Sequence, residues 1–236
     1  MNRKDNCQNG PEVDSLKAVL FDMDGVLFDS MPNHVYAWRG AAERFGLHMT
    51  SQEVYMNEGR TGSGTVDMLA VRTWGRKATE AEMEEIYRVK SELFNTCPEA
   101  SPMPYAREVL QAVRDRGLRI VLVTGSGQRS LLDRLEQAFP GCFHEDYMVT
   151  AYDVVHGKPN PEPYLIGLDK AGVHASQAMV VENAPLGVQA GHAAGIYTLA
   201  LNTGTLPDDV LWESGADCVL PSMQALSEQT CRFFGK

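Results

Sequence analysis

Short apolar runs of strand length, alternating with amphipathic stretches of helix length, constrain this chain more than any other feature. The runs Lys17–Asp22, Leu118–Thr124, Ala178–Glu182 and Tyr197–Asn202 are apolar at most positions, and weaker ones fall at Tyr147–Ala151 and Cys218–Leu220. Alternating with them, Tyr105–Arg116, Ser130–Phe139, Pro161–Ala171 and Ala184–Ala194 carry the spacing of helices with one apolar face. Apolar runs this short suit buried strands. Helices recurring between such strands predict an α/β fold, a Rossmann-like parallel sheet flanked by helices on both faces.

The rhythm breaks over residues 33–98. Val35, Trp38, Ala42 and Phe45 mark one face of a helix, Ala81–Phe94 is helical by pattern, and no strand pattern appears. This predicts an all-helical cap, residues 33–98, inserted after the first strand into a core made of 15–32 and 99–236. Residues 1–14 are polar and read as a loose tail. The two connections would run near Ser30–Pro32 and through the Pro-rich Cys97–Pro104. If they lie close in space, the insert can rock as a lid.

The 236 residues suffice for one sizeable domain and a smaller one. Lys+Arg 21 against Asp+Glu 31 gives a net charge of −10, which argues against nucleic acid or an anionic membrane surface as partner. An anionic substrate remains compatible, because a metal ion and a few placed cations reverse the local field. No apolar run approaches the ~20 residues of a membrane span, and no signal peptide opens the chain. The five cysteines are scattered without a CxxC, so neither a disulfide framework nor a zinc site is expected. A cytoplasmic monomer with reduced thiols is the expectation.

In an open parallel sheet, reactive groups collect at the carboxyl ends of the strands. Four such places carry polar residues here: Asp22-Met-Asp24-Gly25, Thr124-Gly125-Ser126, Gly157-Lys158-Pro159 and Glu182-Asn183. Each alone has an ordinary explanation: a terminal Asp caps a helix, and a Lys before Pro sits on the surface. All four at one end of one sheet point to a site. In this order they resemble the motifs of the haloacid dehalogenase superfamily, in the helical-cap subgroup that includes β-phosphoglucomutase and many small-molecule phosphatases. The match spans about residues 16–221.

The resemblance implies a magnesium-dependent phosphohydrolase. Phosphoryl transfer needs an in-line nucleophile, charge neutralisation and proton delivery to the leaving oxygen. Asp22 would attack phosphorus and form an aspartyl-phosphate. Asp24 would serve as acid, then base, and Gly25 lets the chain turn so that both carboxyls face one pocket. The Asp22 carboxylate, the Asp24 carbonyl, Glu182 and Asn183 would hold Mg2+. Thr124 and the N–H groups of Gly125 and Ser126 would bind phosphoryl oxygens, and Lys158 would neutralise them.

Two positions depart from the pattern. Asn183 stands where a second acid is usual, and in Asn57-Glu58-Gly59-Arg60-Thr61-Gly62 the mutase's basic grips are replaced by Glu58 and Gly62. A sugar-phosphate mutase thereby loses its charge-assisted hold on a second phosphate. Glu58 is instead read as reaching the metal when the cap closes, which leaves room for only a small leaving group. The runs around Glu58, Val123–Gln128 and Val181–Gly187 are similar to bacterial inorganic pyrophosphatases of the superfamily, so pyrophosphate is the expected substrate. The alternatives are a β-phosphoglucomutase or sugar-phosphate phosphatase and, in another class, a phosphate-binding regulatory protein without turnover. His34, Lys90, Arg60 and Thr61 are candidate substrate contacts. On bare chemistry each has a plainer role: helix surface, solvated lysine or loop ordering. Trp38 and the methionines read as core.

Overall fold

The computed structural model describes residues 7, 13–126 and 131–235. Gln128 of the pyrophosphatase-like run and most of the expected tail lie outside them. Six parallel strands form one sheet in the order β3-β2-β1-β4-β5-β6. They are β1 (Ala18–Phe21), β2 (Arg119–Val123), β3 (Met148–Val149), β4 (Ala178–Glu182), β5 (Tyr197–Leu201) and β6 (Cys218–Leu220). All six apolar runs of the sequence are therefore strands.

Burial on both faces explains why those runs lack polar alternation. In β1, Val19 and Phe21 point to one face and pack with α5 (Ala106–Asp115), α6 (Leu131–Ala138) and the C-terminal α10 (Met223–Ser227) and α11 (Thr230–Phe234). Ala18 and Leu20 point to the other, against α7 (Glu162–Ala171) and α8 (Pro185–Ala193). A remaining helix, α9 (Asp208–Glu213), packs beside β6. Pleating puts alternate residues on opposite faces, and a helix layer on each makes both sets apolar.

Between β1 and α5 lie α1 (Met31–Arg44), α2 (Ser51–Met56), α3 (Gly62–Trp74) and α4 (Glu80–Asn95). Their cores are their own: Trp38, Val54, Val66, Leu69 and Ile86 in one cluster, Ala37, Ala41, Val89 and Leu93 in another. Gly40 lets α1 approach α4, since a Cβ there would stand 2.9 Å from Leu93. Thr50 with Glu53, and Thr79 with Glu82, form capping boxes that start α2 and α4. The chain leaves and re-enters the core side by side: Asp29 N–H donates to Ser101 O (2.9 Å) and Met103 N–H to Leu27 O (2.8 Å).

One expectation is overturned. Cys7 and Cys218 form a disulfide with their Cα atoms 4.7 Å apart, while Cys97, Cys142 and Cys231 are free thiols. Cys7 packs against the core instead of lying in a loose tail. The 211-residue separation hides the pairing from any reading of spacing. Among the described residues no helix is long and apolar enough to cross a membrane.

Candidate active site

Sheet register builds the centre of the site. Phe21 pairs with Val181 of β4 and with Leu122 of β2, so Asp22 emerges level with Glu182 and one residue before Thr124. Lys158, from the loop between β3 and α7, reaches into this gap. Its Nζ donates to Asp22 Oδ1 (2.5 Å), Glu182 Oε1 (2.6 Å) and Val123 O (3.0 Å), which uses all three of its protons. Glu182 is equally saturated. Oε1 also accepts from Tyr164 OH (2.7 Å), and Oε2 accepts from the N–H groups of Asn183 (3.0 Å) and Ala184 (3.3 Å). Gly187 gives this carboxylate its space, because a Cβ there would collide with it.

Asp22, Lys158 and Glu182 are all buried. Burial presses on the Lys158 ammonium, but Asp22 and Glu182 outweigh it and hold its pKa well above the usual lysine range. Burial dominates at Asp22 and lifts it to about 8 against the pull of Lys158, with Glu182 and Asp24 adding repulsion. Asp24 faces the opposite balance. Burial would raise it, yet His34, Ser30 and Lys90 together bring it down to about 2. Ser30 Oγ donates to Asp24 Oδ1 at 2.5 Å, and His34 Nε2 lies 3.4 Å from the same oxygen. Gly25 has φ +84°, and any Cβ there would run into Asn183.

Glu58 arrives from the helical insert. Gly59, at φ +80°, packs so closely on Lys158 that a Cβ would stand 2.9 Å from its Cδ. This lays Glu58 beside Asn183, whose Nδ2 donates to Glu58 Oε2 (3.2 Å). The other oxygens of the pair, Glu58 Oε1 and Asn183 Oδ1, are buried with no hydrogen-bond partner. Burial first, then repulsion from Asp22, Asp24 and Glu182, pushes Glu58 well above the usual carboxylate range. Two orphaned oxygens among mutually repelling carboxylates fit a hard cation, and an all-oxygen donor set suits Mg2+. Among the described residues no three His, Cys, Asp or Glu side chains form a ready metal cage. The fitting side chains therefore mix carboxylate and amide oxygens: Asp22, Glu58 and Asn183. Glu182, expected as a ligand, has no acceptor position left, so its geometry assigns it to hold Lys158.

A cavity opens between this centre and the insert, bordered by Asp22, Asp24, Glu58, Gly125 and Ser126. Thr124 is buried just beneath, its Oγ1 accepting from Ser126 N–H (3.1 Å) and keeping its own proton to donate. His34, Arg60 and Lys90 border the cavity from the insert. Arg60 Nε donates to Asn57 Oδ1 (3.2 Å). Thr61 does not border this cavity. It caps α3 by accepting from Gly64 N–H (3.2 Å), so its local role is loop ordering. Lys90 is only 7% exposed and faces the rings of Phe94 (4.9 Å), Trp38 (5.6 Å) and Tyr87 (5.6 Å). Burial lowers its pKa to about 8, with Asp24 opposing. His34 stacks on the same Phe94 at 4.6 Å, and burial lowers its pKa too.

Sequence reasoning missed Tyr164, Ser30 and Arg134, and it took Trp38 for core alone although Trp38 also borders the cavity. Tyr164 lies on the apolar face of α7 and looks like packing until its hydroxyl is placed on Glu182. Ser30 could have been found, being a hydroxyl close after Asp24-Gly25 at the mouth of α1.

A curated relative, the phosphorylated carbohydrates phosphatase of Thermotoga maritima, is 32% identical over 219 residues, covering 90% of this chain and 97% of its own length. Hexitol phosphatase A of Escherichia coli is 30% identical, covering 89% and 93%. A solved structure from Bacteroides vulgatus, provisionally named a β-phosphoglucomutase, is 53% identical with a TM-score of 0.89, covering 92% of this chain and 89% of that one. Residues 16–195 match the model of the haloacid dehalogenase-like hydrolases, and the chain belongs to that family.

Proposed function

We propose that this hydrolase cleaves a small phosphorylated substrate through phosphorylation of Asp22, and that its preferred substrate is inorganic pyrophosphate. An Asp22 carboxylate oxygen attacks phosphorus as the bond to the leaving oxygen breaks, and Asp24, ionised in the free site but raised by the phosphoryl charge that enters beside it, takes up a proton and passes it to that oxygen. Water then attacks the phosphorus of the aspartyl-phosphate, Asp24 takes its proton, and Asp22 is regenerated. Thr124 and the N–H groups of Gly125 and Ser126 hold equatorial oxygens, while Lys158, fixed by Glu182 and Tyr164, offsets their charge. Mg2+, held by Asp22, the Asp24 carbonyl, Asn183 and Glu58, would neutralise phosphoryl charge when bound.

One observation carries the choice of leaving group: Glu58 Oε1 is buried without a partner beside Asn183. The insert is thereby anchored over the nucleophile, and this favours a leaving group no larger than phosphate. A second reading, a phosphatase of phosphorylated carbohydrates, is favoured by what the relatives are named for. It keeps every role assigned to the core and changes only what the insert excludes.

Phosphate release would be compared for pyrophosphate, glucose 1-phosphate, glucose 6-phosphate and p-nitrophenyl phosphate, with magnesium and with a chelator. Dominant magnesium-dependent cleavage of pyrophosphate is expected. A preference for a sugar phosphate would replace the pyrophosphate reading with the carbohydrate one. Conversion of β-glucose 1-phosphate to the 6-phosphate would make the protein a mutase.

A further inference from the structure

Three groups with spare hydrogen-bond donors or exchangeable protons border the cavity: Lys90 on α4, His34 on α1 and Arg134 on α6. The first two come from the insert and Arg134 from the core. Arg134 stacks its guanidinium on Phe28, with Cζ 4.1 Å from the ring centroid, and Phe28 is itself buried edge-on against Phe139. Among the described residues its one protein hydrogen bond is a long one, NH2 to Ala100 O at 3.5 Å, and its Nε is buried with no partner. Among the described residues no carboxylate pairs with it. Lys90 is in the same position: buried, faced by three aromatic rings, and without a hydrogen bond or ion pair among the described residues.

Buried cations are normally paired, because losing hydration costs several kcal/mol per ion, as an order-of-magnitude estimate. Lys90 is such a cation without a partner, and the half-buried Arg134 adds a buried Nε that has none, so an anion binding between them would offset the cost on both domains. A planar guanidinium held flat on a ring keeps its edge donors in a fixed fork, which matches phosphate or carboxylate oxygens. The charges of Lys90 and Arg134 both act on His34, which puts the three within Coulombic reach of one another. Asp24, the proton donor to the leaving oxygen, contacts His34. The cationic group therefore lies on the leaving-group side of the scissile bond.

We propose that Arg134 determines substrate specificity as the core's half of an anion subsite, completed by Lys90 and His34, that binds a negatively charged leaving group. This rests on the phosphohydrolase reading and narrows it. The favoured substrates carry a second anionic group beyond the transferred phosphoryl, and neutral sugar or polyol leaving groups gain little from the subsite.

The test is steady-state kinetics with magnesium on three substrates: pyrophosphate and phosphoglycolate, whose leaving groups are anionic, and glucose 6-phosphate, whose leaving group is neutral. Arg134→Met should lower kcat/KM at least about tenfold for whichever anionic-leaving substrates the native enzyme accepts. The value for glucose 6-phosphate should change less than about twofold, and Arg134→Lys should fall between. Equal losses on all substrates with a lower Tm would make Arg134 a staple between α6 and the Ala100 connection and overturn the proposal. Unchanged turnover of the anionic-leaving substrates would overturn it too. If Arg134→Met does not fold, Lys90→Met must show the same selectivity. Selective loss on phosphoglycolate in an enzyme that ignores pyrophosphate would sink the pyrophosphate reading alone. Efficient pyrophosphate cleavage with unselective losses would sink the subsite alone.

Discussion

The two halves of the cavity are built to opposite rules. On the strand-end side, Lys158, Glu182 and Tyr164 satisfy one another almost completely: every Lys158 proton and every Glu182 acceptor position is used. Where core and insert meet, Glu58 Oε1, Asn183 Oδ1 and Arg134 Nε are buried without partners, and Lys90 faces three rings with no hydrogen bond or ion pair among the described residues. A saturated network is rigid and preorganised, so it suits groups that must be in place before substrate arrives. Unsatisfied buried groups are destabilising until something binds. Their concentration where core and insert meet marks where cation and substrate would enter.

The comparison breaks most severely at Asp22. Asp22→Asn should lower turnover by at least about 10³-fold, because an amide cannot accept the phosphoryl group, while far-UV circular dichroism stays native. Activity within tenfold of the parent would remove Asp22 as nucleophile.

Next is the bridge between the halves. Glu58→Gln should cost about 10- to 100-fold in apparent magnesium affinity, read from the magnesium dependence of phosphate release. Unaltered magnesium dependence would leave Glu58 as a buried carboxylate with no cation to hold.

Lys90→Met sharpens the contrast by separating stability from function. It should melt higher than the parent at pH 7 by a gain of about 1–3 kcal/mol, since an unpaired buried ammonium is replaced by an apolar chain of similar length. The sign follows from the depressed pKa, about 8. The penalty of burying the charged form is fully present below the folded pKa. It fades as pH rises from about 8 toward the ordinary lysine value, so the variant's advantage should shrink over that window. An advantage that grows with pH would contradict this account.

The smallest effect is expected at Tyr164→Phe. Glu182 loses one of four partners and retains Lys158, so a loss of about 1–2 kcal/mol in stability and less than tenfold in turnover is expected, from urea melts and steady-state rates. A loss as large as that at Asp22 would mean that Tyr164 does more than position Lys158.

Much of this was legible in the chain, because the signals were local. Asp22 and Asp24 sit two residues apart at the end of an apolar run, and that placement follows from strand length alone. The same holds for Thr124, Lys158 and Glu182: parallel strands of one sheet bring their carboxyl ends together whatever the detailed packing. Glu58 was legible only as a departure from a pattern, paired with the loss of charge at Asn183. By contrast, Lys90 stood out only through the resemblance, being on bare chemistry a solvated helix lysine, and nothing in the sequence distinguished Arg134 from any arginine on α6. Their significance lies in what fails to surround them, and a missing partner is a property of packing.

The sequence by itself determined the parallel sheet, the helical insert's place in the chain and the cluster of acids and lysine at the strand ends, since these depend on periodicity and on short-range spacing. Only the tertiary structure decided that Glu182 holds Lys158 instead of lying free for a cation and that Cys7 pairs with Cys218. Only it brought Arg134 and Lys90, neither in an ion pair among the described residues, to the border of one cavity. Each of these depends on which distant residue arrives within hydrogen-bond or bonding reach. Tertiary packing sets that, and no window of sequence contains it.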